Sequence, residues 1–228
     1  DLITRKETVL SALDLDWLNC VLKRLQSLEP MQQILGYTWF CDQKFLVTPD
    51  VLIPRPETEE LVMYLREHLK GKVVRKALDI GTGSGCIALS LADSMPQTHW
   101  SAWDVSTQAL TVAKRNQEHF EQQVNWQRQD VLQTWPEEHF DLIVSNPPYV
   151  DAEDMSDLPQ EFLHEPALAL AAGHDGLDIV ETILQQAPEH LTPHGWLFVE
   201  VGNSSVHMQT RFPGLAVQWI DFEQGGQG

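Results

Sequence analysis

The stretch Ala77-Leu78-Asp79-Ile80-Gly81-Thr82-Gly83-Ser84-Gly85-Cys86 decides how the rest of the chain is read. A short apolar strand runs into three glycines at alternate positions, and a helix-forming segment near Cys86–Ser94 follows. Glycines at such a junction permit a tight turn and let the backbone come close to a ligand. From Lys76 onward strand and helix signals alternate. Candidate strands are Ala77–Ile80, His99–Trp103, Val124–Arg128, Phe140–Val144 and Trp196–Val201, with helices near Cys86–Ser94, Thr107–Phe120 and Leu177–His190. This pattern predicts an α/β fold, a doubly wound Rossmann-like parallel sheet with right-handed crossovers. Ligands of such sheets lie beyond the carboxyl ends of the strands, near the point where strand order reverses.

Four strand ends carry residues suited to that place. The first is the loop Gly81, Thr82, Gly83, Ser84, Gly85. Cys86 stands where a dinucleotide fingerprint wants its third glycine, so a nucleoside without a pyrophosphate fits better than NAD. Asp104 ends the second strand, about 20 residues after the loop, where a carboxylate accepts from both ribose hydroxyls. Its competing reading is an acid at the helix start before Ser106. Asp130 ends the third strand and is placed to accept from an adenine amino group, against the plainer reading of a surface acid.

The fourth is Asn146-Pro147-Pro148-Tyr149, after the apolar run Phe140–Ile143. Neither proline donates a backbone hydrogen bond, so the chain leaves the sheet with fixed φ angles. The Asn146 side-chain oxygen and the Pro147 carbonyl could each accept one hydrogen of a flat NH2 group, with Tyr149 against its face. A simple strand-ending turn is the alternative. An amide nitrogen is a poor nucleophile because its lone pair is delocalised. Two placed acceptors orient it and favour the charge redistribution of the transition state. A nucleoside site beside an NH2 clamp implies methyl transfer from S-adenosyl-L-methionine to nitrogen, in which the protein chiefly aligns donor and acceptor.

Composition narrows the classes. The 228 residues suffice for one α/β core and a small extra unit. A net charge of −18 with only 15 Lys and Arg argues against a broad grip on nucleic acid. No apolar run approaches the roughly 20 residues that span a bilayer, and no secretory pattern is visible. The chain begins at Asp1, which leaves a removed targeting segment open. Cys20, Cys41 and Cys86 are far apart and read as reduced thiols. The nine histidines are scattered, and no metal site is expected.

Upstream, Trp17, Leu18, Val21, Leu22, Leu25 and Leu28 recur at helical spacing, which predicts an amphipathic helix from about Asp14 to Leu28. Tyr37–Cys41 and Lys44–Val47 flank Asp42-Gln43 and predict a hairpin. Pro56 and the acids after it mark a helix start, continued through Leu61, Val62, Leu65 and Leu69. Arg55 sits between two prolines, a rigid way to place a cation or a carbonyl. Downstream, 151–176 is rich in Asp, Glu, Pro and Gly and is expected to be a structureless substrate lid.

Leu52–Glu60 with its Pro-Arg-Pro-Glu-Thr-Glu, Asp79–Gly85, Ser145–Tyr149, and Glu165-Pro166 to Asp175-Gly176 together resemble the HemK/PrmC methyltransferases. The likeness runs from about Pro30 to Gly202. The Asn-Pro-Pro-Tyr box alone is shared with adenine-N6 methyltransferases, whereas the Pro-Arg-Pro-Glu-Thr-Glu stretch is more specific. The resemblance implies a class I methyltransferase sheet with a small N-terminal helical lobe and hairpin. It implies methylation of N5 of the glutamine in the Gly-Gly-Gln motif of class I peptide chain release factors, leaving S-adenosyl-L-homocysteine. By the same likeness Gly81 to Gly85 and Asp104 hold the cofactor, Asp130 and Val131 border its adenine, and Thr58 lies near its methionine end. Asn146, Pro147, Pro148 and Tyr149 hold the glutamine amide.

The expected division is a helical lobe at 1–36, a hairpin linker at 37–56 and the methyltransferase domain at 57–228. A cytoplasmic or organelle-matrix monomer without nucleic-acid or membrane contact is expected. The lobe is shorter than the family's. The sequence stops where a final antiparallel strand would follow 216–222, so an incomplete sheet is expected, and Gly225-Gly226-Gln227 reads as a turn rather than a substrate mimic. Two rivals remain: adenine-N6 methylation of DNA or RNA, and a non-catalytic cofactor-binding partner protein.

Overall fold

A computed structural model gives the fold, and the structure describes residues 11–222. Helix α1 (Ala12–Gln26) begins with Ser11 and Asp14 capping each other reciprocally. It is followed by the short α2 (Met31–Leu35), which Gly36 ends in a left-handed conformation. Strands β1 (Tyr37–Phe40) and β2 (Gln43–Leu46) form the expected hairpin. The turn falls one residue earlier than the sequence suggested, on Cys41-Asp42, both with positive φ. That register puts Phe40 and Phe45 on one face, edge to face and fully buried.

Helix α3 (Pro56–His68) starts at Pro56 as expected. Then β3 (Lys76–Ile80), α4 (Cys86–Ser94), β4 (His99–Asp104), α5 (Thr107–Gln117), β5 (Val124–Arg128) and β6 (Phe140–Ser145) alternate. Next come α6 (Ala152–Asp157), 3-10 turns at Gln160–His164 and Ala167–Ala169, α7 (Asp178–His190) and β7 (Leu191–Val199). A 3-10 turn at Gly202–Ser204 leads into α8 (Ser205–Arg211). The five long strands pair in parallel in the order β5-β4-β3-β6-β7. Strand order therefore reverses between β3 and β6, which places the ligand crevice at their carboxyl ends.

Alternation along each strand divides the core between two faces. Ala77, Trp100, Ala102, Leu142 and Val144 pack with α3, α4 and the hairpin phenylalanines. Leu78, Ile80, Trp103, Phe140 and Ile143 pack against Ile183 and Ala187 of α7. Val47 and Val51 dock on Ala109 and Val112 of α5, which holds the segment after the hairpin over the sheet's ligand end.

Three expectations are corrected. Strand β7 begins at Leu191, five residues early, across an irregular register between Phe140 and Leu142, and it stops at Val199. The 151–176 connection contains α6 and two 3-10 turns, and Val150 bridges Ala171, so it is a folded cover. Residues 216–222 form no regular strand, and the Gly-Gly-Gln at 225–227 lies outside the described residues. Among the described residues no helix is long and apolar enough to cross a membrane.

Candidate active site

The glycine loop is pinned from several sides. The Gly81 and Thr82 amides donate to the Trp103 carbonyl at 2.9 and 3.0 Å, which ties the loop to β4. Gly81, Gly83 and Gly85 all have positive φ, and a side chain at Gly85 would also strike Trp126 at 2.9 Å. Beneath the loop Asp79 is fully buried and accepts from the Thr82 hydroxyl at 2.6 Å and the Ala88 amide at 3.3 Å. Burial pushes its carboxyl up to about 7 against those bonds. Asn116 of α5 donates to the Ser84 carbonyl at 2.8 Å while bonding both backbone groups of Leu46, so loop, helix and hairpin are fixed together.

A cavity of about 240 Å³ opens over the ends of β3, β4 and β5. Gly81, Gly83, Asp104, Asp130, Val131, Asn146, Pro147 and Pro148 border it. Thr58, Thr82, Ser84, Gly85 and Tyr149 do not; Thr82 points to Asp79, and the Ser84 hydroxyl is buried. Asp104 accepts the Gly83 amide at 2.9 Å on one oxygen and the Ser106 amide at 2.8 Å on the other. Burial raises its pKa while these bonds oppose the shift. Each oxygen keeps a second lone pair for a hydroxyl. Asp130 accepts from the Leu132 amide at 3.0 Å and the Gln133 side chain at 2.7 Å, shaping the turn at the cavity's far end. Val51 and Leu52 supply one wall and Pro166, Leu168 and Ala169 another, neither of which the strand-end rule had identified.

A second cavity, about 530 Å³, lies on the other side of Asn146 and Pro147. Arg55, Glu57, Tyr149, Asp154, Leu158 and Phe162 are among its borders. Asn146 and Pro147, with Leu52 and Ala169, border both cavities and form the partition where the two meet. The Asn146 side-chain nitrogen donates to the Thr58 hydroxyl at 2.8 Å. Its side-chain oxygen is buried and, among the described residues, without a partner. Such a desolvated acceptor costs about 1–3 kcal/mol unless a ligand donates to it. The Tyr149 ring lies against Gly202, where an added side chain would come within 2.6 Å of it. Burial first, then the charges of Glu200 and Glu57, push its hydroxyl up to about 12, so it stays protonated.

The arginine between two prolines has its counterpart in Glu165. The two side chains are ion-paired, and the second Glu165 oxygen accepts the Ile53 amide at 2.7 Å. Gln33 donates to the His164 carbonyl at 3.0 Å, and the His164 ring bonds the Ser27 carbonyl at 2.9 Å, so the segment beneath the cover also rests on α2 and the end of α1. Cys86 and Cys41 are pushed up to about 12 and about 11 by burial, which leaves no thiolate nucleophile near the loop. Among the described residues no group of His, Cys, Asp and Glu could hold a metal ion.

A reversing parallel sheet, a strand-end cavity beside a glycine loop and an Asn-Pro-Pro-Tyr partition define a class I methyltransferase. Comparisons agree with this. Residues 58–175, just over half the chain, match the family "Methyltransferase small domain". A "Release factor glutamine methyltransferase" of Bacteroides thetaiotaomicron is 41% identical over 90% of this chain and 74% of its own length. One of the same name from Koribacter versatilis is 43% identical over 77% of this chain, which spans 64% of that relative. The chain belongs to the release factor glutamine methyltransferase family. Among solved structures, the hMettl16 catalytic domain, in complex with an RNA hairpin, superposes with a TM-score of 0.59 over 79% of this chain and 72% of its own. At 18% identity that likeness is one of fold alone.

Proposed function

We propose that the chain transfers a methyl group from S-adenosyl-L-methionine to the side-chain amide nitrogen of a glutamine in a peptide chain release factor. The observation that carries this is the partition: Asn146, with a buried unpaired oxygen, stands between a nucleoside-type cavity and a separate cavity open to a protein side chain. The printed name of the two relatives supplies the acceptor.

The residues present suit the cofactor. Gly81 and Gly83 allow close approach, Asp104 keeps acceptor capacity for ribose hydroxyls, and Asp130 and Val131 border the far end. When bound, the sulfonium supplies an electrophilic methyl carbon and a neutral leaving group. The chain's own part is alignment. Asn146 accepts an N–H of the acceptor amide through its unpaired oxygen, and Pro147 fixes the backbone beside it. Tyr149, kept protonated and seated on Gly202, offers a flat face. Holding the nitrogen in one orientation lowers the entropic barrier, and the placed acceptor favours the form whose lone pair is free. No neighbouring carboxylate has to remove a proton before transfer, because the nitrogen becomes acidic as it is alkylated.

We further propose that Thr58 acts from behind Asn146, that Thr82, Ser84 and Gly85 hold the loop's shape, and that the released cofactor is S-adenosyl-L-homocysteine. A monomer working without nucleic acid or membrane remains the reading. The division into lobe, hairpin linker and methyltransferase domain is kept as proposed above, with the hairpin docked on α5. Incubating the protein with labelled donor and either a release factor or an adenine-containing oligonucleotide tests the reading. One methyl on the Gly-Gly-Gln glutamine by mass spectrometry is the expected result. Label on the oligonucleotide, or tight donor binding with no transfer at all, overturns it.

A further inference from the structure

Glu200 follows β7 and continues its ladder, its amide donating to the Ser145 carbonyl at 2.9 Å. The side chain turns inward and is only 6% exposed. One carboxylate oxygen accepts from the Thr58 hydroxyl at 3.3 Å, and the other is buried without a partner among the described residues. The same Thr58 oxygen accepts from the Asn146 side-chain nitrogen at 2.8 Å. Three side chains from β7's end, α3 and the β6 loop thus form one chain of hydrogen bonds. Its last member is the asparagine of the partition.

We infer that Glu200 is a positioning residue for methyl transfer, setting through Thr58 which atom of the Asn146 amide is left free for the acceptor nitrogen. This rests on the proposed methyl-transfer reading. A hydroxyl has one proton to give. When Thr58 gives it to Glu200, its lone pairs face Asn146 and can only be met by the NH2 end. The oxygen of Asn146 is then the atom without a partner. If Glu200 instead carries a proton and donates it to Thr58, the hydroxyl proton is released toward Asn146. The amide then gains by rotating, which would leave an NH2 group where an acceptor is required.

Ionised Glu200 is therefore the productive form. Burial pushes its carboxyl up to about 7, Glu57 of α3 adds to the shift, and the Thr58 hydroxyl, with the nearby Asn146 amide, opposes it. Tyr149, the other titratable group beside Glu200, stays protonated, and Arg55, whose charge reaches Tyr149, is paired to Glu165. The switch thus belongs to Glu200, within the acid-to-neutral range. A packing role alone would give no such polarity.

The test uses the full chain and two readouts. In 15N-labelled wild type the Asn146 side-chain amide signals should titrate with a midpoint of about 7, and in Glu200→Gln they should not. With a release factor as acceptor, Glu200→Gln should lose about 10²-fold in kcat and the acid limb of its pH profile, with KM and donor affinity little changed. If that variant does not fold, Thr58→Val breaks the same chain and should abolish the titration, while Thr58→Ser keeps it. An Asn146 amide indifferent to pH in wild type overturns the inference, as does Glu200→Gln with wild-type kcat and pH profile. Absence of transfer by the wild type would overturn the substrate reading alone, and the amide titration would still decide the role of Glu200.

Discussion

Arg55 and Glu165, separated by 110 positions in sequence, are ion-paired beside the second cavity, which Arg55 borders, and Glu165 also holds the Ile53 amide. The arginine is fixed between prolines and lies over the Phe162 ring at 5.1 Å. The carboxylate is 2% exposed, so removing its partner strands a buried charge. Arg55→Ala is expected to cost about 3 kcal/mol, the lower end for a broken buried pair. Glu165→Gln keeps an acceptor for Ile53 and is expected to cost less. Denaturant midpoints of the two variants give the comparison. Equal losses would mean that the pair is not what holds this segment.

Asn146→Ala removes the unpaired acceptor from the partition without touching the glycine loop. We expect turnover on a release factor to fall by roughly 10²–10³, the scale for one preorganised electrostatic partner. Donor affinity, read by calorimetry, should stay close to wild type. Near-normal turnover would remove Asn146 from the chemistry.

Gly202→Ala tests the seat of Tyr149. The position has a φ of +47°, and the added carbon would approach the ring at 2.6 Å. Left-handed backbone alone costs about 1–2 kcal/mol with a side chain present, and the ring must also move. KM for the release factor should rise while donor binding holds. A drop in donor affinity of the same size would place the damage in the sheet instead.

Stability should depend on pH through Asp79. Its carboxyl is raised from 3.8 to about 7, by burial above all, so the folded chain holds the proton more tightly than the unfolded one. The stabilisation is complete below the ordinary carboxylate value and is lost as pH climbs toward the folded one. Asp79→Asn keeps an acceptor for Thr82 and Ala88 and carries no charge. Its stability relative to wild type should improve by about 2–3 kcal/mol between pH 5 and pH 8. Denaturation midpoints at both values measure this, and a pH-independent difference would contradict it.

The parallel sheet was legible because strands buried on both faces leave continuous apolar runs, as Leu142, Ile143 and Val144 do, and glycines mark where they stop. The loop, Asp104, Asp130 and the Asn-Pro-Pro-Tyr box were found because each ends a strand. What local pattern could not supply was partnership. Nothing near Glu165 names Arg55, and Glu200, read as lying within a strand Trp196–Val201, gave no sign that it neighbours Thr58. Its only available signal was a carboxylate set between apolar neighbours, Val199 and Val201. Strand β7 was begun late because Pro193 and Gly195 imitate a turn. The hairpin turn slipped by one because burial of Phe40 and Phe45 outweighed the turn preference at Cys41.

Asn146 and Pro147 face two chambers rather than the floor of one. On the proposed reading, donor and acceptor would each meet these two residues from its own chamber.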